Sequence, residues 1–147
     1  MQIYKVMMLP LAEEDIRNNT DYIAFEKKTP ETALELAMGF RNTIAKLEFM
    51  PKQHELDEDG ELAARMIRKC YYKNYKIYFF IDEKNSTVYV LRVLHMLVNA
   101  KPLLLNMRFW SCITGIKIKM RVWNFRTLGS LLGAAEIKSD ILYILDE

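Results

Sequence analysis

A chain of 147 residues with 51% apolar side chains has room for one hydrophobic core and is too apolar for wholesale disorder. Its net charge of +2 hides a split: residues 1–60 hold 7 Lys/Arg against 12 Asp/Glu, and residues 61–147 hold 14 against 7. A basic second half points toward an anionic or acidic counterpart. Two cysteines, Cys70 and Cys112, make neither a metal spacing nor a disulfide framework, and no apolar run reaches the ~18 residues that span a bilayer. The expectations are therefore a buried thiol at Cys70, no metal, no cofactor, no membrane and a cytoplasmic protein, since the opening residues are strand-like rather than a leader.

Gln2 to Leu9 is an apolar run of strand length that Pro10 closes, and a proline suits the first turn of a following helix. Leu11, Ala12, Ile16, Asn19, Tyr22 and Ile23 keep helical spacing, with Glu13, Glu14 and Asp15 in the first turn and Lys27 and Lys28 in the last. Thr29-Pro30-Glu31 restarts a helix with a capping hydroxyl and a proline at its first position. Ala33, Leu36, Ala37, Phe40, Ile44 and Leu47 form its stripe until Pro51. So short a break predicts an antiparallel helical hairpin, its carboxylates lying on solvated faces.

Pro51 to Glu61 is acidic, with Glu55, Asp57, Glu58 and Asp59 beside His54 and Gly60. The spacing is not that of a calcium-binding loop, so a flexible connector is expected. From Arg65 to Leu97 three β-rich runs lie almost end to end. The middle run alternates Tyr75, Ile77, Phe79 and Ile81 with Lys76, Tyr78 and Phe80. The last run alternates Val88, Val90, Arg92 and Leu94 with Thr87, Tyr89, Leu91, Val93 and His95, and the polar Asp82–Ser86 between them suits a hairpin. Beyond Leu104 the pattern changes. Ile116 to Val122 alternates apolar and basic residues as an amphipathic strand would; Ile137 to Leu145 has an ambiguous pattern that a short terminal helix with Ser139 near its start would fit.

Strand, helix pair, acidic loop and three strands, in this order, resemble the RelE/ParE superfamily of bacterial toxins. The resemblance rests on R-M-I-R-K-C-Y-Y-K-N-Y-K-I-Y-F-F-I-D-E from Arg65, on V-Y-V-L-R-V-L-H-M from Val88, and on Pro10-x-Ala12-x-x-Asp15-Ile16. It covers about residues 3–104, and divides the chain into a toxin domain, 1–104, and a C-terminal extension, 105–147, of uncertain structure. The extension would either add a basic strand to an exposed sheet edge or carry little structure. The fold implied is α+β: an N-terminal strand and an antiparallel helical hairpin packed on a small antiparallel β-sheet, whose free face and edge receive an antitoxin segment.

The resemblance implies the toxic half of a type II toxin–antitoxin module, a growth inhibitor of the plasmid-stabilisation kind, silenced by a cognate antitoxin protein. Its RelE-type members enter the ribosome and cut messenger RNA; ParE-type members poison DNA gyrase without nuclease activity. Metal-free RNA cleavage needs proton transfer and cations around the phosphate. His95, Arg68 and Arg65 are the candidate catalytic residues of that branch, and Lys69, Tyr72 and Arg92 the candidate contacts to nucleic acid or target. Two features favour the ParE-like branch. Strict alternation puts Arg92 and His95 on opposite faces, and Met96, which has no titratable proton, stands where a tyrosine commonly follows the histidine of the nucleases. A relative that only binds its antitoxin is the third reading.

Overall fold

The computed structural model describes residues 2–107 in full and, further on, the backbone of Ile118–Val122 and Asp140–Ile144. The chain starts with strand β1 (Lys5–Met8), helix α1 (Pro10–Asp21) with an added π-helical turn at Tyr22–Glu26, and helix α2 (Pro30–Ala45). A short helix α3 (Gly60–Ala64) leads into β2 (Ile67–Tyr72), β3 (Tyr75–Asp82) and β4 (Thr87–His95). A second short helix, α4 (Ala100–Leu105), and two strands, β5 (Ile118–Val122) and β6 (Asp140–Ile144), follow, and short 3-10 turns at Lys46–Glu48 and Pro51–Gln53 lie after α2.

One sheet runs in the order β2-β3-β4-β1-β5-β6. β1 lies parallel to β4, while the pairs β2–β3, β3–β4, β1–β5 and β5–β6 are antiparallel. One face carries the helical hairpin: Ala12 and Ile16 of α1 and Leu36, Phe40 and Ile44 of α2 pack on Val6, Met8, Cys70, Ile77, Phe79, Val88, Val90 and Val93. The predicted stripe thus sits on the sheet. Thr29 does not cap α2; its hydroxyl donates to the Ile23 carbonyl (3.2 Å), closing the preceding turn instead. Lys27 and Lys28 lie past that turn, Lys28 with φ 55° where the chain reverses.

The second face is not free, contrary to expectation. Leu62 of α3 and Ala100 and Leu104 of α4, with Met107, cover Ile67, Tyr78, Leu91 and Leu94. The last strand also departs from simple alternation. Tyr78 faces Arg92 but Phe79 faces Val90, so Leu91 is an extra residue. This bulge moves Val93 to the helical side with Val88 and Val90, and Leu94 to the other side with Leu91. At the C-terminal end, Asp140–Ile144 is a strand where a helix was expected. D-I-L-Y-I is short, apolar and β-prone, and a run of that length has no period that separates the two states. Residues 137–139 and 145 lie outside the described residues, as does Cys112. Of the run from Ile116 to Val122, Ile118–Val122 is the strand its alternation predicted, and residues 116–117 lie outside the described residues.

Candidate functional site

The cations of the basic strands are spread over the domain and tied down within it. Arg92 is held by Asp15 of α1 in a bidentate fork, Nε to Oδ2 at 2.7 Å and Nη2 to Oδ1 at 2.8 Å. The Val93 N–H donates to the same carboxylate at 3.1 Å. β1 stops pairing β4 at Val90, and Asp15 takes up backbone of β4 beyond it. The two side chains are only 14% and 12% exposed, and the hydrogen bond to Asp15 holds the Arg92 guanidinium above its ordinary pKa. The carboxylates of α1 were expected on solvated faces; Asp15 instead faces the sheet. Its signal was its place beside Ile16 and three positions from Ala12, both buried, inside the apolar stripe.

Arg68, on the edge strand β2, projects toward the helical side with its cross-strand partner Phe79. Its Nη1 donates to the His54 carbonyl at 2.6 Å, and the His54 ring meets the Phe79 ring edge-on at 5.8 Å. Burial and the neighbouring Arg68 charge lower the His54 pKa. Lys69 projects to the opposite face, cross-strand from Tyr78, within 3.5 Å of both Asp57 and Glu58. Burial lowers its pKa, but Tyr71, Asp57 and Glu58 outweigh that and leave it raised. Arg65, exposed, donates to the Leu105 carbonyl at 3.2 Å. The acidic connector is therefore a clamp: Asp57 and Glu58 hold Lys69, while Asp59 caps α3 and reaches Lys101 at 3.0 Å.

His95 sits at the far end of β4, cross-strand from Tyr75, with ring centroids 5.4 Å apart. Its Nδ1 accepts from the Leu97 N–H at 3.2 Å. The registers place Arg68 beside Phe79 and Val90, and His95 beside Tyr75 and Tyr72. Their Cα atoms are thus about 13 Å apart along the strands and about 10 Å across them. The bulge at Leu91 precedes Arg92, so it does not bring Arg92 round to His95. The structure gathers none of the pairs His95–Arg68, His95–Arg92 or Arg65–His95 around a common point.

What it does form is a groove of about 1170 Å³ between α2 and the outer side of β2. Tyr72 forms its inner wall: the ring lies against Gly39, meets Phe40 edge-on at 5.4 Å and has Lys73 over it at 5.6 Å. The charges around it are mixed, Glu35, Glu55 and Glu58 against Lys46 and Lys69. The Glu55–Asp57 segment bonds the outward side of β2 at Ile67 and Lys69. Tyr71, two residues further, turns the same backbone side to the groove. Cys70 also lines it, its thiol pushed up to about 12 by burial, as a structural cysteine would be.

Among the described residues no helix is long and apolar enough to cross a membrane. The solved structure of the chromosomal ParDE system of P. aeruginosa matches 65% of this chain and 98% of its own, at 15% identity and a TM-score of 0.51, a likeness of fold. The RelBE2 toxin–antitoxin complex of Mycobacterium tuberculosis matches 65% of this chain and 93% of its own, at 24% identity and a TM-score of 0.47. No curated protein sequence matches. The family model of the ParE toxin of type II toxin–antitoxin systems matches residues 6–97, from β1 to the end of β4. With that match over a strand, a helical hairpin and a three-stranded meander in the same order, the chain belongs to the ParE toxin family.

Proposed function

We propose that this chain arrests growth by binding DNA gyrase, as ParE-type toxins do, and not by cutting RNA, and that a cognate antitoxin protein silences it. The observation that carries this reading is the separation of the groups a nuclease would need. Phosphoryl transfer to a 2′-hydroxyl, with the 5′-oxygen leaving, requires a base, an acid and a cation within hydrogen-bond reach of one phosphate. His95 and Arg68 are separated by four strand positions and two strand spacings, Arg92 is forked onto Asp15, and Lys69 is neutralised by Asp57 and Glu58. A binding poison has no such requirement. It needs a firm surface, and the helical hairpin fixed to the sheet by Arg92–Asp15 supplies one.

Induced expression with two readouts tests the reading. The expected result is growth arrest with DNA-damage signalling, intact messenger, and inhibition of supercoiling by gyrase when the purified protein is added. His95→Ala should leave the arrest in place. Rapid loss of translated messenger with cuts inside codons, abolished by His95→Ala or Arg68→Ala, would establish the ribosome-dependent nuclease instead. Absence of any toxicity would leave a relative that only binds its antitoxin.

A further inference from the structure

β1 reads as an interior strand. Val6 and Met8 are buried in the core under the helical hairpin, Met7 and Leu9 in the core on the other face, and all four are 5% exposed or less. A strand apolar on both sides with an open edge is a template for pairing with another chain, because its outward N–H and C=O groups lie in a row beside apolar side chains. Just before β1 the outward Tyr4 N–H donates to the Glu48 carbonyl, but the ParE family match ends at residue 97 and no strand within it pairs the outer side of β1 itself. In this chain β5 does: Met7 pairs with Val122 and Met8 with Arg121, antiparallel, and β6 backs β5 from Ile118 to Val122.

We propose that β5 and β6 form an intramolecular edge cover that denies the outer side of β1 to a second copy of this chain. Two open β1 edges would be self-complementary about a two-fold axis, each exposing the same short apolar strand to the other. The hydrogen-bond pattern shows which groups are at stake. Lys5 and Leu9 donate to β4, at the Ser86 and Val90 carbonyls, so alternation turns the Met7 N–H to β4 as well and the Met8 N–H outward, to Arg121. With the cover in place, β1 is an interior strand and the sheet ends on β2 and β6.

Residue-resolved hydrogen exchange on the full chain tests this. In the wild type the Met8 amide should be protected about as well as those of Met7 and Leu9. Arg121→Pro removes a ladder donor opposite Met8 and should accelerate exchange at Met8 on the order of 100-fold, leaving Met7 and Leu9 unchanged as internal controls for the fold. The same variant should self-associate with rising concentration in sedimentation while the wild type does not. Ile141→Pro in β6, opposite Arg121, should act in the same direction without touching the β1–β5 ladder. The proposal is overturned if Met8 exchanges freely in the wild type, if neither proline changes Met8 selectively, or if a variant that frees Met8 stays monomeric throughout.

Discussion

The Asp15 carboxylate holds three donors at once: two from the Arg92 guanidinium and one from the Val93 backbone. With both side chains nearly covered, removing one partner strands the other's charge. Asp15→Ala should therefore destabilise by about 2–4 kcal/mol in urea unfolding, and Arg92→Lys should recover only part of the pair, because an ammonium cannot fork onto a carboxylate. A double-mutant cycle should show strong coupling between the two sites; additivity would mean that the pair contributes little. His54 gives a pH dependence. Its pKa is lowered in the fold from an ordinary 6.5, so the unfolded chain takes up the proton first as pH falls. Its stabilising contribution is complete above that ordinary value and is lost as pH drops through it toward the folded value. His54→Gln should then flatten the fall in melting temperature between about pH 7 and about pH 5, whatever it does to the baseline. The resemblance made Arg92 a candidate contact to nucleic acid or target, and only the strand register and helix placement show it forked onto Asp15.

The helical hairpin and the sheet meet closely where Gly39 of α2 lies against Tyr72 at the end of β2. A Cβ built on Gly39 would lie 1.8 Å from Cζ of Tyr72, so the ring occupies the space a side chain would need. Helix propensity alone would favour Gly39→Ala by up to about 1 kcal/mol. The ring is held by Phe40 on one side and Lys73 above it, so overpacking should win and the substitution should cost about 1–2 kcal/mol. In a Tyr72→Ala background the sign should reverse and Gly39→Ala should stabilise; denaturant midpoints of the four proteins decide it. Contacts of this kind are invisible in a sequence, whereas periodicity is not. The alternation of β3 was legible because its eight residues keep one period with no interruption. That of β4 was misread beyond Val90, since a single inserted residue leaves the composition β-like and exchanges the faces of everything after it. The strand β6 was misread for the opposite reason: five residues, four of them apolar, do not sample enough turns to exclude a helix.

The folded unit extends further than the family match. That match ends at residue 97, yet the second face of the sheet is closed by α4, which begins at Ala100, and by Met107. This layer was missing from the sequence reading because its helices, α3 and α4, have five and six residues. Such segments are too short to show an amphipathic stripe and too short to be stable alone, so packing on Ile67, Tyr78, Leu91 and Leu94 is what makes them helical. They also tie up charged side chains from two parts of the chain. Lys101 is drawn to Asp59 and Glu61, which locks α4 to α3, and Arg65 reaches the last carbonyl of α4 at Leu105. If this layer is part of the cooperative core, Leu104→Ala should act as a core truncation. Leu104 is fully buried, so the change should cost about 2–4 kcal/mol in equilibrium unfolding. Its neighbour Leu103 is 37% exposed and serves as the control, with Leu103→Ala expected to cost no more than about 0.5 kcal/mol. Equal, small effects at both positions would mean that α4 rests on a domain already complete at β4; a large effect confined to Leu104 would make the second layer a condition of the surface that the toxin presents.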